Sequence, residues 1–213
     1  MADVMALATE ERRDLADYLA TLTDEDWSQP SLCPRWSVRD VAGHVPSYDE
    51  LGWPGLLALL ARSRLSLERS NQRLVEQTRR RSTDDLVARL RQHAVPRGIT
   101  AMFGGRIALT DTLIHHQDIR RALGHPRSVP AGRLVAALEF APRARALPAP
   151  GNVRGLRLVA TDLDWSSGSG PEVAGPGEAL LVAVAGRSEA LSDLSGPGLG
   201  LLAERVAGSS ERS

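Results

Sequence analysis

The segment from Arg106 to Leu123 restricts this chain more than any other stretch. It is strongly periodic at helical spacing, Gly104-Gly105 breaks the chain before it, and Gly124 and Pro126 end it. On such a helix residues four apart share a face. Asp111 and His115 therefore project together, Asp118 lies close to the same stripe, and His116 points about 100° away. A carboxylate and an imidazole at this spacing make a two-point chelate for a divalent ion. A third ligand from another helix would close a facial set with positions left open for water or substrate. Taken alone, such a pair is more often a surface hydrogen-bonding pair or a satisfied core histidine, so the metal reading needs a partner.

His44 is the natural partner. Ser37 with Asp40 three residues on is a capping box, so a helix begins there and carries His44 in its second turn, with Trp36 available to anchor its start. Pro46 removes a backbone donor and is expected to kink that helix just after His44, opening a cavity. A first amphipathic helix is expected over about Thr9 to Leu22, from Leu15, Tyr18, Leu19 and Leu22. Others are expected at Leu65 to Thr78, at Asp84 to His93 after a Ser82-Thr83 cap, and at Pro130 to Phe140.

Ala146 to Gly151 has the composition of a linker, and the pattern changes beyond it. Leu156, Leu158 and Ala160 alternate with Arg157, Val159 and Thr161 as in a strand; Ser166 to Pro171 is a turn cluster; Glu172 to Ala174 is extended. Helices follow at Glu178 to Ala185, stopped by Gly186, and near Leu199 to Val206. The expected organisation is a helical domain over 1–147 and a small α+β domain over 153–207, too short to be stable without packing on the bundle.

Composition narrows the chemistry. The 26 basic residues balance the 26 acidic ones, which argues against a nucleic-acid or anionic-membrane surface and for small-molecule partners. The Arg79 to Arg81 run reads as a solvated helix end. No lysine occurs, which excludes a Schiff-base or phosphate-loop lysine. The single cysteine, Cys33, excludes an internal disulfide or a Cys-x-x-Cys motif, and a small buried hydrophobe is its expected role. His93 is expected to be exposed and His125 to sit in a turn. No apolar run approaches the roughly 20 residues that span a bilayer, and the amino terminus lacks a secretory signature, so a cytoplasmic address is expected.

Two stretches, Trp27 to His44 and Thr110 to Gly124, resemble the actinobacterial mycothiol-dependent maleylpyruvate isomerase family of DinB-like metalloenzymes. Leu156 to Arg187, with Ala160-Thr161-Asp162, Asp164-Trp165 and Ala185-Gly186-Arg187, resembles that family's second domain. The resemblance implies an α+β chain in which a DinB-like four-helix up-down-down-up bundle precedes a small α/β carboxy-terminal domain. It implies a divalent metal, often zinc, held at positions matching His44, Asp111 and His115. The family more often has Glu or His where Asp111 stands, which leaves Asp118 or a bridging water as substitutes. It also implies mycothiol as thiol cofactor and an active-site arginine in a motif comparable to that of Arg187.

The expected function is thus a metal-dependent, mycothiol-using isomerase or thiol transferase on a small, carboxylate-bearing substrate. For an isomerase, a thiolate would add to a cis double bond, allow rotation and leave. The alternatives are a non-catalytic metal-binding stress-response module, whose site would be closed by a fourth protein ligand, and a metal-dependent hydrolase with water as nucleophile. Neither the substrate nor the oligomeric state is legible in the residues.

Overall fold

The computed structural model describes residues 3–210, which divide into two compact units between Arg127 and Ser128. The first unit is helical. α1 (Val4–Leu19) starts earlier than its apolar spacing suggests because the Asp3 side chain accepts the Met5 N–H and caps it. A short α2 (Asp24–Ser28) carries a Thr23/Asp26 capping box. The expected Ser37/Asp40 box opens α3 (Val38–His44) with both of its hydrogen bonds present.

That helix ends at His44, so Pro46 terminates it instead of kinking it. Pro46 cannot donate to the next carbonyl in line, and the chain turns at once: the Ser47 N–H and hydroxyl both donate to the freed His44 oxygen, at 2.9 and 2.6 Å. α4 (Gly52–Arg62) had no clear signal in the sequence, since its first turn holds Pro54 and Gly55; proline is tolerated there because first-turn N–H groups lack helical partners anyway. α5 (Leu67–Thr78) and α6 (Thr83–Gln92) follow, capped by Ser66 and Ser82.

After a 3-10 stretch at Gly98–Gly105 comes α7 (Arg106–Leu123), with the expected bounds and a left-handed glycine at each end. From Ala108 to Ile119 every residue of α7 except Asp111 is buried, so it is the central element of the bundle, packed on α1, α3 and the 3-10 stretch. Leu15 and Leu19 of α1, Val38 and Val41 of α3, Leu86 and Leu90 of α6 and Ile119 of α7 share one core. Each such side chain contributes about 1.5–3 kcal/mol of burial. α3 and α5 approach so closely at Gly43 that a Cβ there would lie 2.2 Å from Thr78 Oγ1.

The second unit begins with α8 (Ala131–Phe140), which therefore groups with the carboxy-terminal elements, ahead of the expected linker. The reason is packing: a Cβ on Gly177 would stand 3.2 and 3.3 Å from methyls of Leu134 and Leu138. The proposed linker segment itself holds α9 (Ala149–Asn152), whose Ala149 and Asn152 are buried. Among the described residues three strands form one sheet in the order β2-β1-β3. β1 (Arg157–Ala160) is antiparallel to β2 (Ser166–Gly168) and parallel to β3 (Glu172–Gly175). β2 occupies part of what reads as a turn cluster, its serines lacking the apolar alternation of a recognisable strand. α10 (Gly177–Val184) is buried along nearly its whole length, and α11 (Leu199–Ser210) closes the unit. The architecture is α+β: a helical bundle followed by a small α/β unit. No described helix is long and apolar enough to cross a membrane.

Candidate metal centre

Three side chains meet inside the first unit. His44 comes from the last residue of α3, Asp111 and His115 from one face of α7, and one donor atom from each lies within 4.8 Å of the others. Asp111 Oδ1 stands 3.5 Å from His115 Nε2 and 3.9 Å from His44 Nε2. Both imidazoles are buried, while Asp111 is about a third exposed and gives the cluster its opening. Trp36 and Tyr48 wall it, their rings 4.9 and 6.1 Å from the His44 ring, and the Tyr48 hydroxyl donates to Asn71 Oδ1.

The three groups carry unlike charges. Burial draws His44 down to about 4, outweighing the neighbouring Asp111 carboxylate, so its ring is neutral at pH 7. Burial works against ionisation of Asp111, but His115 and His44 beside it hold its carboxyl at about 2. For His115 burial favours the neutral ring, and Asp111 and the other acidic groups around it overcome that and raise its pKa well above the usual value.

Asp118 also reaches His115, from the other side. Its Oδ2 lies 3.0 Å from His115 Nδ1 and 2.9 Å from Cys33 Sγ, with the sulfur 3.5 Å from the same ring nitrogen. Two ligand sets therefore compete for His115, one at Nε2 and one at Nδ1. Distance separates them. Two donors each about 2.1 Å from a tetrahedral ion stand about 3.4 Å apart. The separations around Asp111 match that spacing; those around Asp118 are hydrogen-bond lengths. The first set has the composition of an open site, two imidazoles and a carboxylate, and Asp118 has the position of an outer carboxylate that fixes the ring's tautomer. His44 Nδ1 is buried without a hydrogen-bond partner, so packing against Trp36 and Tyr48 holds that ring.

Behind the site, Arg12 grips Asp49 through two hydrogen bonds of 2.9 Å, both side chains fully buried. Asp49 also accepts from Arg97 N and Thr100 Oγ1, both at 2.7 Å, which ties the loop after His44 to α1 and the 3-10 stretch. His116 faces away from the cluster, as its position on the helix requires. Its Nδ1 meets Glu11 Oε1 at 2.9 Å, and Arg120 Nε donates to its Nε2, which makes Nδ1 the protonated nitrogen of a neutral ring. Burial lowers it to about 4. Glu11 in turn pairs with Arg127.

His93, expected to be exposed, is mostly covered: its side chain is 12% accessible and lies 3.5 Å from Glu50. His125 sits past the helix stop and meets the Tyr18 hydroxyl. Arg187 belongs to the second unit, directly after the left-handed Gly186, and donates to Ala185 O at 2.8 Å. Read from sequence, Cys33 had only the role of a small buried hydrophobe, which it is by burial but not by contact, and Arg12 had none. Neither has a local signal, because their partners lie 85 and 37 residues away along the chain.

Residues 8–97 match the family model described as the mycothiol maleylpyruvate isomerase N-terminal domain, a stretch that contains Cys33 and His44. The crystal structure of the mycothiol-dependent maleylpyruvate isomerase is similar over 91% of each chain, with a TM-score of 0.53 and 14% identity. The crystal structure of a histidine-to-alanine mutant of that enzyme gives a TM-score of 0.51 at the same coverage and identity. At that identity the likeness is one of fold. No curated protein matches the sequence.

Proposed function

We propose, from the match of residues 8–97 to the mycothiol maleylpyruvate isomerase N-terminal domain, a mycothiol-dependent isomerase or thiol transferase that works at a divalent metal site. His44, Asp111 and His115 would hold the ion, zinc being the best match to two imidazoles and a carboxylate. The observation that carries the reading is the convergence of these donors at 3.5 and 3.9 Å, with a third of Asp111 open to solvent. A bound cation of this class lowers the pKa of a thiol or water beside it and so supplies a nucleophile at neutral pH.

The chain's own groups have separate tasks. His44 is already neutral and offers a lone pair; Asp111 is ionised; Asp118 holds the His115 ring so that Nε2 faces inward. Trp36 and Tyr48 shield the cluster from bulk water. Cys33 is engaged with Asp118, which suits a nucleophilic thiol brought from solution. Arg187 is proposed as the partner of a substrate carboxylate, because a guanidinium fork supplies two parallel donors.

The test uses purified protein. Elemental analysis should find one equivalent of divalent metal; His115→Ala should lose most of it, and His116→Ala should keep it. If both variants keep a full equivalent, the site lies elsewhere. Mycothiol should change the spectrum of the cobalt-substituted protein; an unchanged spectrum at saturating thiol would favour water as nucleophile or a site without turnover. Under the carboxylate role, Arg187→Lys lowers turnover or substrate affinity at an unchanged melting temperature.

A further inference from the structure

We infer that Cys33 is a positioning residue for the metal site, acting on His115 through Asp118. The inference rests on the metal reading above. Cys33 Sγ donates to Asp118 Oδ2 at 2.9 Å, the same oxygen meets His115 Nδ1 at 3.0 Å, and the opposite ring nitrogen of His115 faces Asp111. Sulfur, carboxylate and imidazole nitrogen form a compact triangle behind the proposed ion: the sulfur also lies 3.5 Å from His115 Nδ1, and its directed hydrogen bond goes to Asp118. Asp118 is fully buried and Cys33 nearly so, at 6% exposure, so water does not substitute for either contact.

The sulfur is held where it is by the backbone. Leu32 N–H donates to Asp118 O at 3.1 Å, which pins the loop directly to α7. Cys33 N–H donates to Ser31 Oγ and Trp36 N–H to Cys33 O, both at 3.1 Å, so the turn from Ser31 to Trp36 is closed on itself. The Trp36 ring from that same turn packs tilted against His44, with 4.9 Å between centroids. One short loop thereby presents two side chains to the site, a ring against one histidine and a thiol behind the other.

Two donors share one oxygen of Asp118, and this gives the thiol its effect. The S–H fixes the rotation of the carboxylate, and with it the plane of the His115 ring. It also draws charge from Oδ2, which tunes how strongly Asp118 polarises the imidazole and therefore how good a ligand Nε2 is. A serine at this position would keep the donor; an alanine would remove it.

The experiment is a chelator competition for zinc and cobalt on the full chain, with Cys33→Ala, Cys33→Ser and Asp118→Asn. Losing an outer carboxylate partner typically costs about 10–100-fold in metal affinity, which is the expectation for Asp118→Asn. Cys33→Ala should lose about three- to tenfold, less because a thiol is a weak donor. Cys33→Ser should recover wild-type affinity within about twofold by keeping the donor. Equal affinity in wild type and Cys33→Ala overturns the inference and leaves the metal site standing, whereas a wild-type protein that takes up no metal overturns both. A thiolate-to-cobalt charge-transfer band that vanishes in Cys33→Ser would put sulfur on the ion and overturn it too. Should Cys33→Ala fail to fold, the His115 Nδ1 proton resonance decides: it shifts in Cys33→Ser if the two donors share Asp118, and an unmoved resonance refutes the relay.

Discussion

Gly43→Ala tests whether the close approach of α3 and α5 holds His44 in place. The added Cβ would stand 2.2 Å from Thr78 Oγ1 and 2.8 Å from Thr78 Cβ. Thr78 is buried and its hydroxyl donates to Val75 O at 2.8 Å, so the side chain cannot swing aside without losing that bond. Carbon pairs settle near 3.5–4.0 Å, so the helices must part by about 1 Å. Forced overpacking costs about 1–3 kcal/mol, and the helix propensity of alanine over glycine returns about 1 kcal/mol. The net expectation is about 0–2 kcal/mol of destabilisation, or up to about 8 °C in melting temperature for a chain of this length. Because His44 is the next residue, it travels with α3, and metal affinity should fall about tenfold, the low end of the loss seen when a ligand's support is removed. Thermal melts of the metal-free protein and chelator competition measure the two effects. In a Thr78→Ala background the 2.2 Å contact is gone, and Gly43→Ala should cost about 1 kcal/mol less. A Gly43→Ala protein that melts at or above wild type with full metal affinity would refute the argument that this contact sets the site.

Acid should weaken the metal-free protein well above the carboxylate range. His44 and His116 sit at about 4 when folded and near 6.5 when unfolded, so the unfolded state takes up protons first. The stability present above pH 6.5 is lost as pH falls to 4, by up to about 3 kcal/mol for each ring, and urea midpoints across that range measure it. His115 is shifted the opposite way; its contribution is present below pH 6.5 and lost as pH rises through its raised value, so it leaves the acid trend intact. A flat profile between pH 7 and 4 would contradict the burial of both rings. Arg12→Met should cost about 3–5 kcal/mol in urea denaturation by leaving the buried Asp49 carboxylate without its cation, and a loss below 1 kcal/mol would mean that the pair is solvated.

What the sequence determined by itself was local. The bounds of α7 follow from glycines that alone accept the left-handed geometry at its ends, and the start of α3 follows from Ser37 and Asp40 three residues apart. The pairing of Asp111 with His115, and the turning away of His116, follow from helical period. Pro46 carried a correct stop signal but not the choice between kink and termination, which the hydroxyl of Ser47 resolved by taking up the His44 carbonyl. α4 and β2 stayed hidden because Pro54 and the serines of β2 run against local preference, and β2 exists through its pairing with β1, which no local pattern announces. Only the folded chain decided that α8 groups with the carboxy-terminal unit, that Asp111 flanks the ring nitrogens facing the opening while Asp118 stands behind, and that Cys33 touches that second carboxylate. The physical reason is range. Caps, turns and helical faces are set by hydrogen bonds among residues within about four positions, whereas a contact such as Cys33 with Asp118 exists only after whole helices have buried their apolar faces against one another.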